Sequence, residues 1–506
     1  MTVVNRRRRV DVIVVGGGSA GCALAARLAA SGAKVELVEA GPALDDSDGR
    51  HGNAMNCDLS GRLDWGYAGR ITAGRVAALP RGKVLGGSSV INTCIAMRPD
   101  PQSFAEWAVH GAGWEWERVL PAFRRLERDL DFSDAGHHGE DGPVPIVRWR
   151  EDELVTASRV FRDAALAVGL PAVTDLNAPG ASGVGALPMN REGRRRISAA
   201  RAYLDPEALS ELDISCGRLV DRVLFQCGRV AGIVSRGAID EQVHPAACVA
   251  LCAGAYATPA ILLRSGIGPA EELERRGIPV IADLPGVGGG LMDHSQVHLV
   301  AHAPKTEPDG PALQALVRTT TRGSPIANDV QLCVLNRVDL ERYAPGFHPD
   351  GGGIAMLCAL LQHSLSTGTV KLASRDPAAP PDIEIDYVAH ESDRMRYRHA
   401  IRLLGDIASR VDIAPLALAY GESPADCDDA ALDDLVTRRV QTAHHPMGSA
   451  RMGPESDPGA VVAPDLSVFG VEGLSVADAS VIPVCVNANI HLTCTMIGER
   501  AAELLP

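Results

Sequence analysis

The sequence predicts an α/β fold, α+β overall, in which a parallel-sheet domain is interleaved with a second domain built on its own sheet. Three observations predict it. An apolar run, Val12 to Val15, stops in Gly16, Gly17 and Gly18 and gives way to a helical pattern. A second buried run, Ala247 to Cys252, ends in Gly254 and again enters a helix, far along the chain. Between about Gln296 and Ile385, β-like runs alternate with turns rich in Pro and Gly, which reads as a separate sheet. No repeat of fixed period and no low-complexity segment is present, so the chain is expected to cross between two domains more than once.

Taken in order, Val12 to about Ile146 reads as βαβ followed by a glycine-rich stretch and helices. Gly16 permits the tight turn, Gly18 lets backbone approach a pyrophosphate, and Gly21 lets the helix pack close to the strand. The helix start, with Ser19 and Ala20, turns its unpaired N–H groups toward phosphate charge. Glu39 follows a second strand, Val35 to Val38, at the spacing of a carboxylate that accepts both ribose hydroxyls. Strand, helix, strand and terminal acid together predict a Rossmann-like nucleotide site. Leu154 to Val168 then reads as a helix, Ser198 to Tyr203 as a helical start, and Val220 to Phe225 and Val230 to Val234 as short strands. Val297 to Ala301, Val330 to Val334 and Ile354 to Leu361 supply the later sheet, and Ser392 to Val411 a long helix.

At 506 residues the chain exceeds one typical core, and its net charge of −14 argues against a nucleic-acid surface. No run of about 18 uncharged apolar residues is present, so no membrane span is predicted. Arg6 to Arg9 read as a solvated tail ahead of the first strand. The 12 cysteines are scattered without close C-x-x-C pairs and read as reduced core residues, with no metal site, which suits a cytoplasmic location.

Two further glycine clusters, Gly82 to Asn92 and Gly254 to Gly268, follow the N-terminal fingerprint. With Ser366, Gly368, Val370, Asp376 and Pro377, and the stretch from His445 through Asp478 to Glu499, the sequence resembles the glucose-methanol-choline (GMC) family of flavin oxidoreductases over nearly its whole length. The resemblance implies extended FAD in an FAD-binding domain of residues 1–150, 195–295 and 430–506. Residues 151–194 and 296–429 would form the substrate-binding domain, an antiparallel sheet flanked by helices. It further implies that Gly86 and Gly87 bring backbone near the cofactor and that Ser88, Asn92 and the amides around Thr93 to Ile95 hydrogen-bond it. Val220 would meet the adenine, and Asp478 and Ala479 would pass the diphosphate and ring. Where some relatives attach FAD through a histidine, this chain has Ile91, so the flavin is expected to be non-covalent.

Alcohol oxidation needs a hydride acceptor, flavin N5, and a base for the hydroxyl proton, work that suits histidine. His445, in Thr442 to Gly448, matches the family's base. His491 matches a position held by histidine or asparagine and would orient the substrate hydroxyl or share its proton; His444 is a neighbouring decoy. Leu284 to His294 departs from the family, with glycines in place of larger polar residues, and is expected to be a domain-crossing loop of unusual flexibility; His294 receives no chemistry. Aromatic residues make up only 4% of the chain, which disfavours a cage around choline. The expected activity is FAD-dependent oxidation of a small alcohol, with oxygen, a quinone or a protein carrier as electron acceptor. The alternatives are a cyanohydrin-type lyase with a structural flavin and a flavin-stabilised binding protein; an NAD-dependent enzyme would leave two glycine clusters without a use.

Overall fold

A computed structural model of the chain describes residues 10–43, 61–205, 209–303, 310–336, 353–410, 424 and 427–505. The Arg6 to Arg9 run lies outside them. Five parallel strands form one sheet in the order Leu212–Ser215, Val35–Val38, Val12–Val15, Cys248–Leu251, Leu474–Val476. Val12–Val15 and Val35–Val38 are buried throughout, which is why they read as unbroken apolar runs. The order reverses at Val12–Val15, so a crevice opens at the carboxyl ends of the strands on either side of it. The helix after the first strand, Ser19–Ala30, buries an alanine-rich face against the C-terminal helix His491–Leu504. A Cβ on Gly498 would lie 2.3 Å from the Ala20 carbonyl oxygen, so glycine sets how closely these helices cross.

The second sheet is antiparallel, in the order Gln441–Thr442, Ser295–Ala303, Gly353–Leu361, Val330–Leu335, Ala315–Thr319, Gly183–Ala186. Its apolar runs alternate between two buried faces. Leu332, Val334, Leu357, Ala359 and Leu361 pack with Phe161, Tyr397, Leu404 and Val436 of the helices Thr156–Ala167, Glu391–Ala408 and Asp429–Arg439. Leu316, Cys333, Met356, Cys358 and Leu360 take the other face, with Ile95, Trp149, Met189 and Ala443. A hairpin, Ala68–Thr72 and Arg75–Ala78, adds to Gly368–Lys371 and Asp382–Ile385, with Gly69 paired to Ile383. That pairing ties part of the N-terminal segment to a strand from the later block.

The expected helices and strands are found within a few residues of their sequence-read limits, including Ala199–Tyr203, whose N-cap Ser198 accepts a bond from the Arg201 N–H. The expected flexible loop is a correction. Gly286 and Gly288 stand where backbone passes against backbone: a Cβ on Gly286 would meet the Gly459 oxygen at 2.3 Å, and one on Gly288 the Val370 oxygen at 2.1 Å. Gly288 also exchanges backbone bonds with Ser449 and Val370, at 2.8 and 2.7 Å. These two glycines are demanded by close contact, not by slack. The described cysteines are all free, and no helix among the described residues is long and apolar enough to cross a membrane.

Candidate active site

A cleft of about 1960 Å³, counted out to its open mouth, lies at the carboxyl ends of the parallel strands. Four of the five strand ends deliver a segment to it: Gly16, Gly18, Ser19 and Ala20 after the first strand, Glu39 after the second, Gly254 after Cys248–Leu251, and Asp478 and Ala479 after Leu474–Val476. Gly87, Ser88, Asn92, Thr93, Ile95 and Val220 line it from the flanking segments, and His445 and His491 stand in the same wall. The sequence motifs, spread over the chain, therefore converge on one crevice.

Glu39 is buried, and its two carboxylate oxygens accept the Gly17 and Gly41 N–H groups at 2.8 and 2.7 Å. Burial raises its proton affinity, opposed by those N–H groups and the Ala40 N–H. Asp478 accepts from the Gly254 N–H at 2.7 Å and the Thr258 hydroxyl at 2.6 Å, which joins two strand ends across the cleft floor. A Cβ on Gly18 or on Gly254, the latter at φ +86°, would meet nothing within 4 Å, so both glycines face open space. An open, glycine-walled cradle at a helix N-terminus, with a buried acid at the end of the second strand, fits an extended dinucleotide such as FAD.

Two more glycines of the predicted set stand behind the cleft. Gly21 and Gly86 are absent from the cleft lining. A Cβ on Gly21 would sit 1.9 Å from the Gly16 oxygen, so its part is to let helix and strand meet. Gly86, at φ +99°, donates its N–H to the Gly17 oxygen at 2.7 Å and ties the second glycine cluster to the first. Both shape the cradle from behind it.

His445 and His491 share the cleft, but their hydrogen bonds lead in different directions. His491 opens the C-terminal helix, and its Nδ1 shares a bond of 2.9 Å with the Ser19 hydroxyl. Its Nε2 is buried without a partner among the described residues. Burial, with Arg196 adding to it, pulls this imidazole down to about 4. His445 is half-buried; its Nδ1 lies 3.0 Å from Nδ1 of His294, and its Nε2 lies 3.3 Å from the Asn489 amide nitrogen. Burial, then the neighbouring His294, His444 and Arg81, holds its proton affinity well below the usual imidazole range. Burial thus favours the neutral form of His445 and of His491, which is able to accept a proton.

The backbone around His445 is held from Met292 to His294. Met292 and Met447 exchange backbone bonds of 2.8 Å, the His294 oxygen accepts the Ala443 N–H at 2.7 Å, and Asp293 accepts the His445 N–H at 2.8 Å. Asp293 also takes the Tyr387 and Thr442 hydroxyls, at 2.5 and 2.6 Å; burial pushes it up to about 6 against those donors. His444, the decoy, lies in the left-handed region at φ +69°. In that conformation its carbonyl accepts from Arg81, at 2.6 Å, and both His444 and His445 line the cleft.

Sequence reasoning missed Arg81, Arg196, His294 and Asn489. Arg196 donates to the Asn92 side chain at 2.7 Å, and Arg81 lines the cleft beside His445. The adjacent Asp293 and His294, two titratable residues directly ahead of a buried strand, were the available signal.

Comparison with known proteins gives a consistent picture. Residues 10–296 and 364–498 match two profiles described as GMC oxidoreductase. A 5-(hydroxymethyl)furfural oxidase of Methylovorus sp. is 34% identical, with 98% of each chain covered. An oxygen-dependent choline dehydrogenase of Brucella suis is 31% identical, over 97% of this chain and 95% of the relative. The crystal structure of pyridoxine 4-oxidase from Mesorbium loti superposes with a TM-score of 0.91 at 30% identity, covering 98% of this chain and 99% of that one.

Proposed function

The chain belongs to the GMC oxidoreductase family, and from that premise we propose that it oxidises an uncharged alcohol to the aldehyde or ketone, with His445 taking the hydroxyl proton. It is an FAD-dependent enzyme of the class that acts on CH–OH donors. Bound FAD supplies the hydride acceptor.

The observation that carries the reading is the imidazole of His445, standing in the cleft wall with Asn489 on its Nε2, where burial lowers its proton affinity and favours the neutral form. An alcohol whose oxygen lies against that nitrogen can pass its proton there as the hydride leaves the same carbon. Nε2 of His491, unpartnered among the described residues, is a buried group with capacity for the substrate hydroxyl oxygen, and it orients it. Gly16, Gly18, Ser19, Ala20, Gly87, Ser88, Asn92, Thr93, Ile95, Val220, Asp478 and Ala479 hold the cofactor, with Glu39 on the ribose. Ile91 in the cleft wall offers no nucleophile, which supports non-covalent attachment.

Charge narrows the substrate. Among the described residues the carboxylates lining the cleft are Glu39 and Asp478, and both are bound by backbone N–H groups. The imidazole end carries cations, Arg81 in the wall and Arg196 acting on His491. A quaternary ammonium finds no counter-ion there, whereas a neutral hydroxymethyl compound, like the one named for the Methylovorus relative, incurs no such repulsion.

Anaerobic mixing with a panel of neutral and cationic alcohols, followed by flavin absorbance, tests this. Bleaching by a neutral alcohol and not by choline is the expected result, and admission of air then reads whether oxygen takes the electrons. A flavin that no alcohol bleaches, in a protein that cleaves cyanohydrins, would instead establish the lyase.

A further inference from the structure

We propose that His294 is a positioning residue that fixes the tautomer of His445, so that the base presents a bare Nε2 to the cleft. The proposal rests on His445 being the base.

The proton positions follow from one carbonyl. His294 Nε2 lies 2.6 Å from the Val486 oxygen, and a carbonyl only accepts, so this nitrogen carries hydrogen. A neutral imidazole has one N–H, which leaves Nδ1 of His294 bare. Nδ1 of His445 is 3.0 Å away, and a hydrogen bond between these nitrogens then requires His445 to donate. Its own Nε2 must be the bare one. An independent contact agrees: the group facing that nitrogen is the amide nitrogen of Asn489, a donor, at 3.3 Å.

The scheme needs His294 to be neutral, and its surroundings favour that. It is 0% exposed, and burial, with His363 nearby adding to it, pulls it down to about 4 against the Val486 and Gln362 carbonyls. The other titratable groups facing the pair are Asp293, His444 and Arg81; Asp293 spends its oxygens on Tyr387, Thr442 and the His445 backbone. The rings meet edge to face, with centroids 5.0 Å apart and planes at 79°. Without His294 the solvent-preferred tautomer, with hydrogen on Nε2, becomes available to His445 and would place a donor where the alcohol proton must go. After proton transfer the His445 cation keeps its Nδ1–H on the His294 lone pair, so the same contact steadies the charged ring.

The test begins with the wild-type holoenzyme labelled with ¹⁵N-histidine, whose imidazole shifts distinguish the two tautomers; H445Q identifies the His445 signals. The expected spectrum shows Nδ1 protonated and Nε2 bare, and a protonated Nε2 in the neutral ring would overturn the proposal without any variant at 294. His294→Leu removes the acceptor at similar volume, while His294→Asn keeps an oxygen at the δ position. We expect H294L to slow flavin reduction about 100-fold with FAD content and inhibitor affinity unchanged, and H294N to recover about tenfold. H294L reduced at the wild-type rate would also overturn it. Failure of the base reading shows separately, as H445Q retaining its rate.

Discussion

His294 and His138 are buried alike, at 0% and 1% exposure, yet one is held neutral and the other charged. Both ring nitrogens of His138 face carboxylates, Nδ1 toward Glu127 at 2.8 Å and Nε2 toward Asp175 at 2.9 Å, so both must donate. Burial alone would lower its proton affinity, but the bonds it donates to Asp175 and Glu127 overcome this and push it up to about 9. His294 faces a carbonyl and another imidazole and is pulled down to about 4. Burial lowers both, and what stands opposite the ring nitrogens decides whether that lowering is overcome, by two carboxylates at His138 but not by carbonyls at His294. By spacing alone His137, His138 and Asp175, or Glu127, Asp129 and His138, could ligate a metal. Arg98 on Glu127 and Arg148 on Asp129 and Asp175 already supply the positive charge there. That cluster ties the strands Glu127–Asp129 and Val144–Arg148 together; the cleft pair is left able to gain a proton.

The comparison breaks most directly at the base. His445→Ala should retain FAD and its spectrum but lose flavin reduction by about 1000-fold, since general-base removal has effects of that order. Rapid mixing with a substrate alcohol measures it, and an unchanged rate takes His445 out of the mechanism. His138→Leu should do the reverse. It leaves Glu127 and Asp175 buried without a partner on that side, at a loss of about 3 to 5 kcal/mol of stability by denaturant titration. The folded, flavin-loaded variant should reduce at nearly the wild-type rate.

The two regions should also loosen at opposite ends of the pH scale. A raised proton affinity stabilises the fold in full below the unfolded value of about 6.5, and the gain is lost as pH climbs through about 9, which for His138 amounts to about 3 kcal/mol. His294 and His491, both lowered to about 4, stabilise relative to protonation above about 6.5, and that is lost as pH falls toward 4. Melting curves across this range should decline on both sides, and H138L should lose the alkaline decline alone. Flavin reduction should stay level above pH 6.5 and fall in acid, because His445 must be unprotonated to act.

How much of this was legible in the chain depended on how local the cause was. The first βαβ unit was readable because strand, glycine turn, helix and Glu39 are contiguous and each obeys a short-range rule. His445 and His491 stood out through residue type and matched context. His294 did not, because its partner is 151 residues away and its role exists only once Ser295–Ala303 and Gln441–Thr442 pair. Glycine was the most misleading letter: the glycines between 286 and 290 suggested freedom, whereas the fold uses Gly286 and Gly288 for backbone contacts that no side chain would permit. Sequence shows that a glycine is present but not which of its two uses applies.

Gly18 and Gly21 carry that distinction inside a single motif, and they give the smallest of the expected effects. Gly21 is closed in by the Gly16 oxygen, so its lack of a side chain serves the fold. Gly18 is open, and a methyl added there meets no protein atom within 4 Å. Gly18→Ala should therefore leave the stability of the apoprotein within about 1 kcal/mol of wild type. The methyl would occupy space that the cofactor's pyrophosphate needs, so FAD affinity should fall by at least about tenfold, read by equilibrium dialysis. An alanine variant that binds FAD as tightly as the parent would mean that the pyrophosphate does not pass Gly18. The open cradle would then have to be traced along Gly254 and Asp478 instead.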